Sequence, residues 1–212
     1  MTFSKERRSL ERDLLRALTP KLKGSRWKKK QNAIYCEVDG YYLDVIVGVF
    51  LNDSKTTFRM SAKPMSLDRL YWQITDLDDN HAQPLSFRTW GAFTCSGLPL
   101  GEESIADEGT RVDALAARVL AWADSQLESA MPRLQAESFS SAIARHPDQI
   151  ERGAYAITYV TSLILEGDLD AARRAAVAYA NGSAQSTVKH THIGRDFHEV
   201  VVEWIDSTVG SS

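Results

Sequence analysis

Cysteine is scarce in this chain: Cys36 and Cys95 are the two among 212 residues. Two thiols cannot build the disulfide framework of a small secreted scaffold, and they read as free thiols in a reducing compartment. Long apolar runs are missing as well. The longest, Val45 to Leu51, has the length of a strand and is interrupted by Gly48, far short of the ~20 residues a membrane helix needs. The first residues carry charge with no apolar stretch behind them, which reads as the absence of a secretory leader. The sequons at Asn52-Asp53-Ser54 and Asn181-Gly182-Ser183 then have no route to glycosylation and count as chance matches. The expectation is a cytoplasmic chain without membrane contact.

Signatures of known chemistry are missing too. There is no Gly-x-Ser-x-Gly elbow, no phosphate loop ending in Gly-Lys-Ser/Thr and no Gly-x-Gly-x-x-Gly. His198-Glu199 begins like a zinc-protease helix, but Val202 stands where the second His is required. Asp76, Asp78 and Asn80 have the spacing of a calcium loop, yet His81 occupies the position that needs Gly. His190, His192 and His198 are the nearest approach to a zinc set, because His-x-His in a strand puts both rings on one face. No cysteine lies near them, so no metal is assigned. Nor is a cofactor or a catalytic residue, and the reading leans away from an enzyme. A hydrolase or transferase with dispersed active-site residues in a cleft stays as an alternative.

What is present describes a folded protein. Apolar residues make up 43% and charged residues 25%, and a chain of this length buries roughly 70% of its unfolded surface. Leu10, Leu14, Leu18 and Leu22 recur at helical spacing, which predicts an amphipathic helix over 4–18 that Pro20 ends or kinks. Ala33 to Val38, Asp39-Gly40 and Tyr41 to Leu51 form the strongest hairpin signal, because Gly accepts the positive φ of a type I′ turn. Asn52-Asp53-Ser54 reads as a second turn into the alternating segment Lys55 to Ala62. Ser66 to Leu77 reads as a short helix capped by Ser66 and residues 78–84 as a polar loop, with Leu85 to Cys95 as a fourth strand.

From Cys95 to Gly109 a Gly/Pro/Ser/acid stretch reads as the seam between two parts. Beyond it lies an apolar helical stripe from Val112 to Leu127, stopped by Pro132. Further helices are expected over 136–145, 149–166 and 168–180, and Phe197 to Val209 is either helix or strand. The fold class is therefore α+β: an N-terminal helix on a roughly four-stranded antiparallel meander (1–95), a connecting loop (96–109), and a helical subdomain packed on the first (110–212).

Charge is unevenly distributed. Residues 1–30 hold eleven Lys/Arg against three acids, so a net −3 overall leaves −11 on the remainder. Arg8, Arg12 and Arg16 step by four along the first helix, and Arg26-Trp27-Lys28-Lys29-Lys30 places four cations around an aromatic. Such a set can contact phosphates while Trp27 stacks on a base. Against nucleic acid stands a sequence pI near 6.0. A strand with Trp27 inward and lysines outward fits the same residues, as does packing of the basic helix against the acidic C-terminal half.

Gly167-Asp168-Leu169-Asp170-Ala171-Ala172-Arg173 resembles the turn and second-helix start of a tetratricopeptide repeat, with no second copy in the chain. The layout of residues 1–95, with Lys63-Pro64-Met65-Ser66-Leu67-Asp68-Arg69-Leu70-Tyr71-Trp72 and Pro84-Leu85-Ser86-Phe87-Arg88, resembles bacterial domain-of-unknown-function proteins and the small α+β immunity proteins that neutralise toxins. The absence of motifs combined with two faces of opposite charge leads to a non-catalytic, protein-binding cytoplasmic protein, with immunity-type neutralisation as its most concrete version. The alternative is a binder of nucleic acid or another anion through Arg8, Arg12, Arg16, Arg26, Trp27, Lys28, Lys29 and Lys30.

Overall fold

The computed structural model describes residues 2–49, 55–106, 111–187 and 190–210. They form an α+β protein with a five-stranded antiparallel sheet in the order β1-β2-β3-β4-β5. Helix α1 (Thr2–Lys21) precedes β1 (Lys28–Lys30), β2 (Ala33–Val38), β3 (Tyr41–Val49) and β4 (Lys55–Pro64). Then come α2 (Met65–Ile74), a 3₁₀ turn (Asp78–Ala82), α3 (Phe87–Trp90) and β5 (Leu98–Ala106). Helices α4 (Val112–Ala136), α5 (Phe139–Ala144), α6 (Pro147–Glu151), α7 (Ala156–Leu165), α8 (Leu169–Ala180) and α9 (Phe197–Val209) follow. None of the described helices is long and apolar enough to cross a membrane.

The chain divides into two compact units. The first takes Met1–Ala62 with Pro99–Arg133, the second Lys63–Leu98 with Leu134–Ser212. The first holds sixteen Lys/Arg against fourteen Asp/Glu and the second nine against fourteen, so the formal balances are +2 and −5.

In the first unit the Asp39-Gly40 turn forms as expected, with φ of 49° and 77°, and pairs β2 with β3 from Val38↔Tyr41 to Ala33↔Ile46. That register puts Ile34 and Cys36 beside Val45 and Leu43 on one face, all buried. Both long helices cover this face. Lys29 Nζ donates to the Leu15 carbonyl of α1 at 2.8 Å, while Trp27, two residues away and therefore on the same side, donates to Asp124 of α4 at 2.9 Å. Leu14 and Leu18 of α1 are fully buried, and Trp122 of α4 meets Phe58 edge-on with centroids 4.9 Å apart. Each such side chain contributes about 1.5–3 kcal/mol by leaving water. The opposite sheet face carries Tyr35, Tyr42, Asp44 and Ser61, the last donating to Asp44 at 2.5 Å.

The second unit is built on α7. Residues Gly167 (φ 84°) and Asp168, whose carboxylate caps the Ala171 amide at 2.9 Å, turn α7 into α8 as a helical hairpin. Helix α2 packs on α7, α9 packs on α8, and Tyr71 meets Phe197 at 5.2 Å.

Several expectations are corrected. The sheet has five strands, not four, and Leu85 to Cys95 is not among them. Its backbone is held by side chains instead of a neighbouring strand: Lys63 Nζ takes the carbonyls of Arg88 and Cys95, and Trp72 Nε1 takes that of Phe93. Within the expected connecting loop 96–109, Leu98–Ala106 is β5, whose Ser104 and Glu102 pair across to Thr57 and Arg59 of β4. Proline does not stop α4, which passes Pro132 to Ala136 with Pro132 exposed, whereas α1 does end at Lys21, one residue beyond Pro20. Helix α2 is preceded by Pro64, so Ser66 is not its cap. The single helix expected over 149–166 is two, broken at Gly153 with φ 71°. Phe197 to Val209 is helical, started by Asp196 accepting from the His198 amide. The turn expected at Asn52-Asp53-Ser54 lies outside the described residues.

Candidate functional site

The basic segment is split by its own strand geometry. In β1 successive side chains alternate, and Lys29 is committed to the Leu15 carbonyl on the helix-covered face. Lys28 and Lys30, both exposed, project from the opposite face of the sheet edge. Trp27 is only 2% exposed and spends its indole N–H on Asp124, so it has no face to offer a base. Arg26 is exposed beside it. The expected ring of cations around an aromatic is not assembled. A three-residue lysine strand at the edge of a sheet also has a plain structural use, because edge lysines discourage pairing with another chain.

Arg8, Arg12 and Arg16 form a genuine row. They are exposed at intervals of four on α1, on the side away from Leu14 and Leu18. Asp13 lies 3.6 Å from Arg12 and 3.8 Å from Arg16, yet these side chains stay 60% and 74% exposed. Ser9 accepts from Arg12 at 2.8 Å. Such exposed pairs contribute little to stability, about 0–1 kcal/mol.

A buried ionic cluster in the second unit was not anticipated. Asp68, fully buried on α2, accepts from Lys63 Nζ at 3.1 Å, Arg88 Nη1 at 2.6 Å and the Cys95 amide at 2.8 Å. The Arg88 guanidinium also lies 5.0 Å above the Trp72 ring. One hint was available. Asp68 sits three and four residues before Tyr71 and Trp72, on the face of α2 that is buried. The Lys63 ammonium donates to Asp68 and to two carbonyls, and it is 3% exposed. Beside it the Cys95 thiol is buried, and burial pushes its pKa up, with the Asp68 charge adding to the rise. The thiol form is the inert one. The cluster acts as a staple that fastens residues 88–95 to α2.

The histidines go separate ways. The His198 ring is buried 4.8 Å from Tyr179 and 5.3 Å from Phe197, with Nε2 3.2 Å from Ser186 Oγ. His192 lies exposed 6.0 Å from Phe93, and His190 bridges to Asp196 through its backbone. Among the described residues no three His, Cys, Asp or Glu side chains gather as a metal-binding group. A small cavity of about 60 Å³ with a mixed lining, Ala154 and Ile157 beside Thr94, Ser96, Thr158 and Thr187, adjoins the staple. Thr158 Oγ1 is already bonded to the backbone of Ser96, and Thr187 to that of Gly153. Comparison with family models, curated proteins and solved structures finds no match for this chain.

Proposed function

We propose that this is a non-catalytic binding protein that engages an acidic surface of a partner protein through Arg8, Arg12 and Arg16. The observation that carries the reading is their arrangement: three guanidiniums exposed in one row on a helix whose other side is locked into a core. Guanidinium forks suit carboxylates, and a helix-borne row presents them at a fixed ~6 Å spacing. Burial of Trp27 favours a protein partner over single-stranded nucleic acid, because the stacking surface is spent inside the fold. Neutralisation of a toxin is the most concrete form of this role, and a toxin gene beside this one would fit it.

The test pairs two baits, the wild-type chain and Arg8→Gln/Arg12→Gln/Arg16→Gln. A specific partner retained by the first and at least tenfold weaker on the second, with a flatter salt dependence, is the expected result. Equal retention by both baits, no specific partner on the wild type, or binding only to DNA at low salt through Lys28 and Lys30 refutes the proposal.

A further inference from the structure

Between Pro84 and Ser96 the second unit carries a segment that makes its backbone bonds locally. The amides of Phe87 to Gly91 donate to carbonyls of Pro84 to Phe87. Ser96 anchors the far end, bonded to Thr158 of α7 in both directions. In between, side chains hold residues 86–95 down. Lys63 takes the carbonyls of Arg88 and Cys95, Asp68 takes the Arg88 guanidinium and the Cys95 amide, and Trp72 Nε1 reaches the Phe93 carbonyl at 2.7 Å. The Cys95 thiol bonds to Thr161 of α7.

Two positions show what this closed form demands. Gly91 crosses Phe87 so closely that a Cβ would lie 2.5 Å from the Phe87 carbonyl oxygen, and a glycine stands there. Phe93 has a φ of 59°, in the left-handed region that disfavours a Cβ, and no glycine stands there. An aromatic at that angle is strained, and such strain persists only where the surroundings over-determine it. The Trp72 bond at Phe93 and the ionic staple at Cys95 are those surroundings. The sequence pulls the other way, because Phe87, Thr89, Gly91 and Phe93 alternate as an extended chain does.

We propose that residues 86–95 are a sprung strap, which opens as one piece while the rest of the second unit stays folded, its release favoured by the strain held at Phe93. Opening bares the Trp72 ring, which is 2% exposed beneath the Arg88 guanidinium at 5.0 Å and the Phe87 ring at 6.1 Å. It also draws Thr94 out of the wall of the small cavity beside α7. Aromatic surface is enriched where proteins meet, so the closed strap conceals a contact surface that the open strap offers.

Both tests use the full chain. In the wild type, protection of the Cys95 amide in hydrogen exchange and of its thiol against a maleimide should report one opening and agree within about threefold, while α7 stays at least about tenfold better protected. Phe93→Ala and Phe93→Gly lose the same ring, which lies 6.0 Å from His192, and only glycine suits a φ of 59°. Cys95 should therefore label about three- to tenfold more slowly in the glycine variant than in the alanine variant, with Cys36 of the first unit unchanged in both. Equal or faster labelling in the glycine variant overturns the spring. Unequal protection of the Cys95 amide and thiol, exchange of residues 86–95 together with α7, or equal acceleration of Cys36 and Cys95 overturns the separate opening. If the alanine variant does not fold, the wild-type comparison of residues 86–95 with α7 decides alone.

Discussion

Replacing Asp68 by alanine leaves an ammonium and a guanidinium facing each other inside the second unit. Lys63 is 3% and Arg88 8% exposed, and both now donate to the same carboxylate. Breaking a buried ion pair by removing one partner costs about 3–5 kcal/mol. The Cys95 amide also loses its acceptor, a loss of about 1–3 kcal/mol for a buried donor left unmade. Working the other way, Lys63 keeps the carbonyls of Arg88 and Cys95, and Arg88 keeps the Trp72 ring. A net loss near 4 kcal/mol follows, a factor of roughly 1,000 in the equilibrium for local opening.

Cys95 reports that opening directly, since it is buried and its backbone is one of the stapled groups. Alkylation by a maleimide, followed by peptide mass, separates it from Cys36, which is buried in the first unit. In Asp68→Ala the labelling of Cys95 should rise about 1,000-fold while Cys36 keeps its wild-type rate, provided that closing is fast relative to alkylation. A rise below tenfold would refute the staple. So would equal acceleration of both cysteines, because the effect would then be general. Lys63→Met makes the complementary case: it leaves Asp68 matched by Arg88, so its cost should be smaller than that of Asp68→Ala. The reverse order would show that charge balance is not what the cluster provides.

Two further outcomes are expected. Gly153→Ala should destabilise by about 2 kcal/mol or more, because φ is 71° and a Cβ there would lie 2.4 Å from the Gln185 carbonyl oxygen; a melting temperature unchanged from wild type would refute this. Alkaline pH should erode stability through Cys36, whose thiol is raised by burial from 9.0 to about 12, with Arg26 opposing the rise and Asp124 adding to it. Between those values the folded chain holds a proton that the unfolded chain has lost. The stability is thus present below pH 9 and lost toward pH 12, by up to about 1.4 kcal/mol per pH unit. Cys36→Ala should lower that slope without abolishing it, because Cys95 is shifted in the same direction; identical slopes in urea titrations would refute the assignment.

The parts of the fold legible in the sequence were those whose local chemistry and tertiary surroundings agree. The Asp39-Gly40 hairpin and the Gly167-Asp168 break are turns set by backbone preference, and the structure uses both as written. Leu85 to Cys95 misled because Phe87, Thr89, Gly91 and Phe93 alternate as in a strand, while three of the segment's carbonyls are claimed by Lys63 and Trp72. Those donors stand 21 to 32 residues earlier in the chain, and no local pattern announces them. Pro132 misled in the opposite sense. A proline in the last turns of a helix forfeits one bond, and the buried Met131 and Leu134 beside it outweigh that loss.

The same period of two that makes β1 a strand also decides which of its charges can act together. Read as a string, Arg26 to Lys30 is one dense positive segment around an aromatic. Folded, it alternates between Lys29 and Trp27 turned toward the helices and Lys28 and Lys30 turned away. Helical spacing has the opposite effect on the arginines, since a step of four gathers Arg8, Arg12 and Arg16 onto one side across eight residues. Charge density along the chain therefore overstated the lysine run and understated the arginine row. A groove between α8 and α9 follows the same logic, because Val177 and Val202 lie 25 residues apart in the sequence and line one surface only after α8 and α9 have packed through their inner faces. A surface made of helix exteriors is set by which stripes the core leaves over, and that remainder is known only once the core has been assigned.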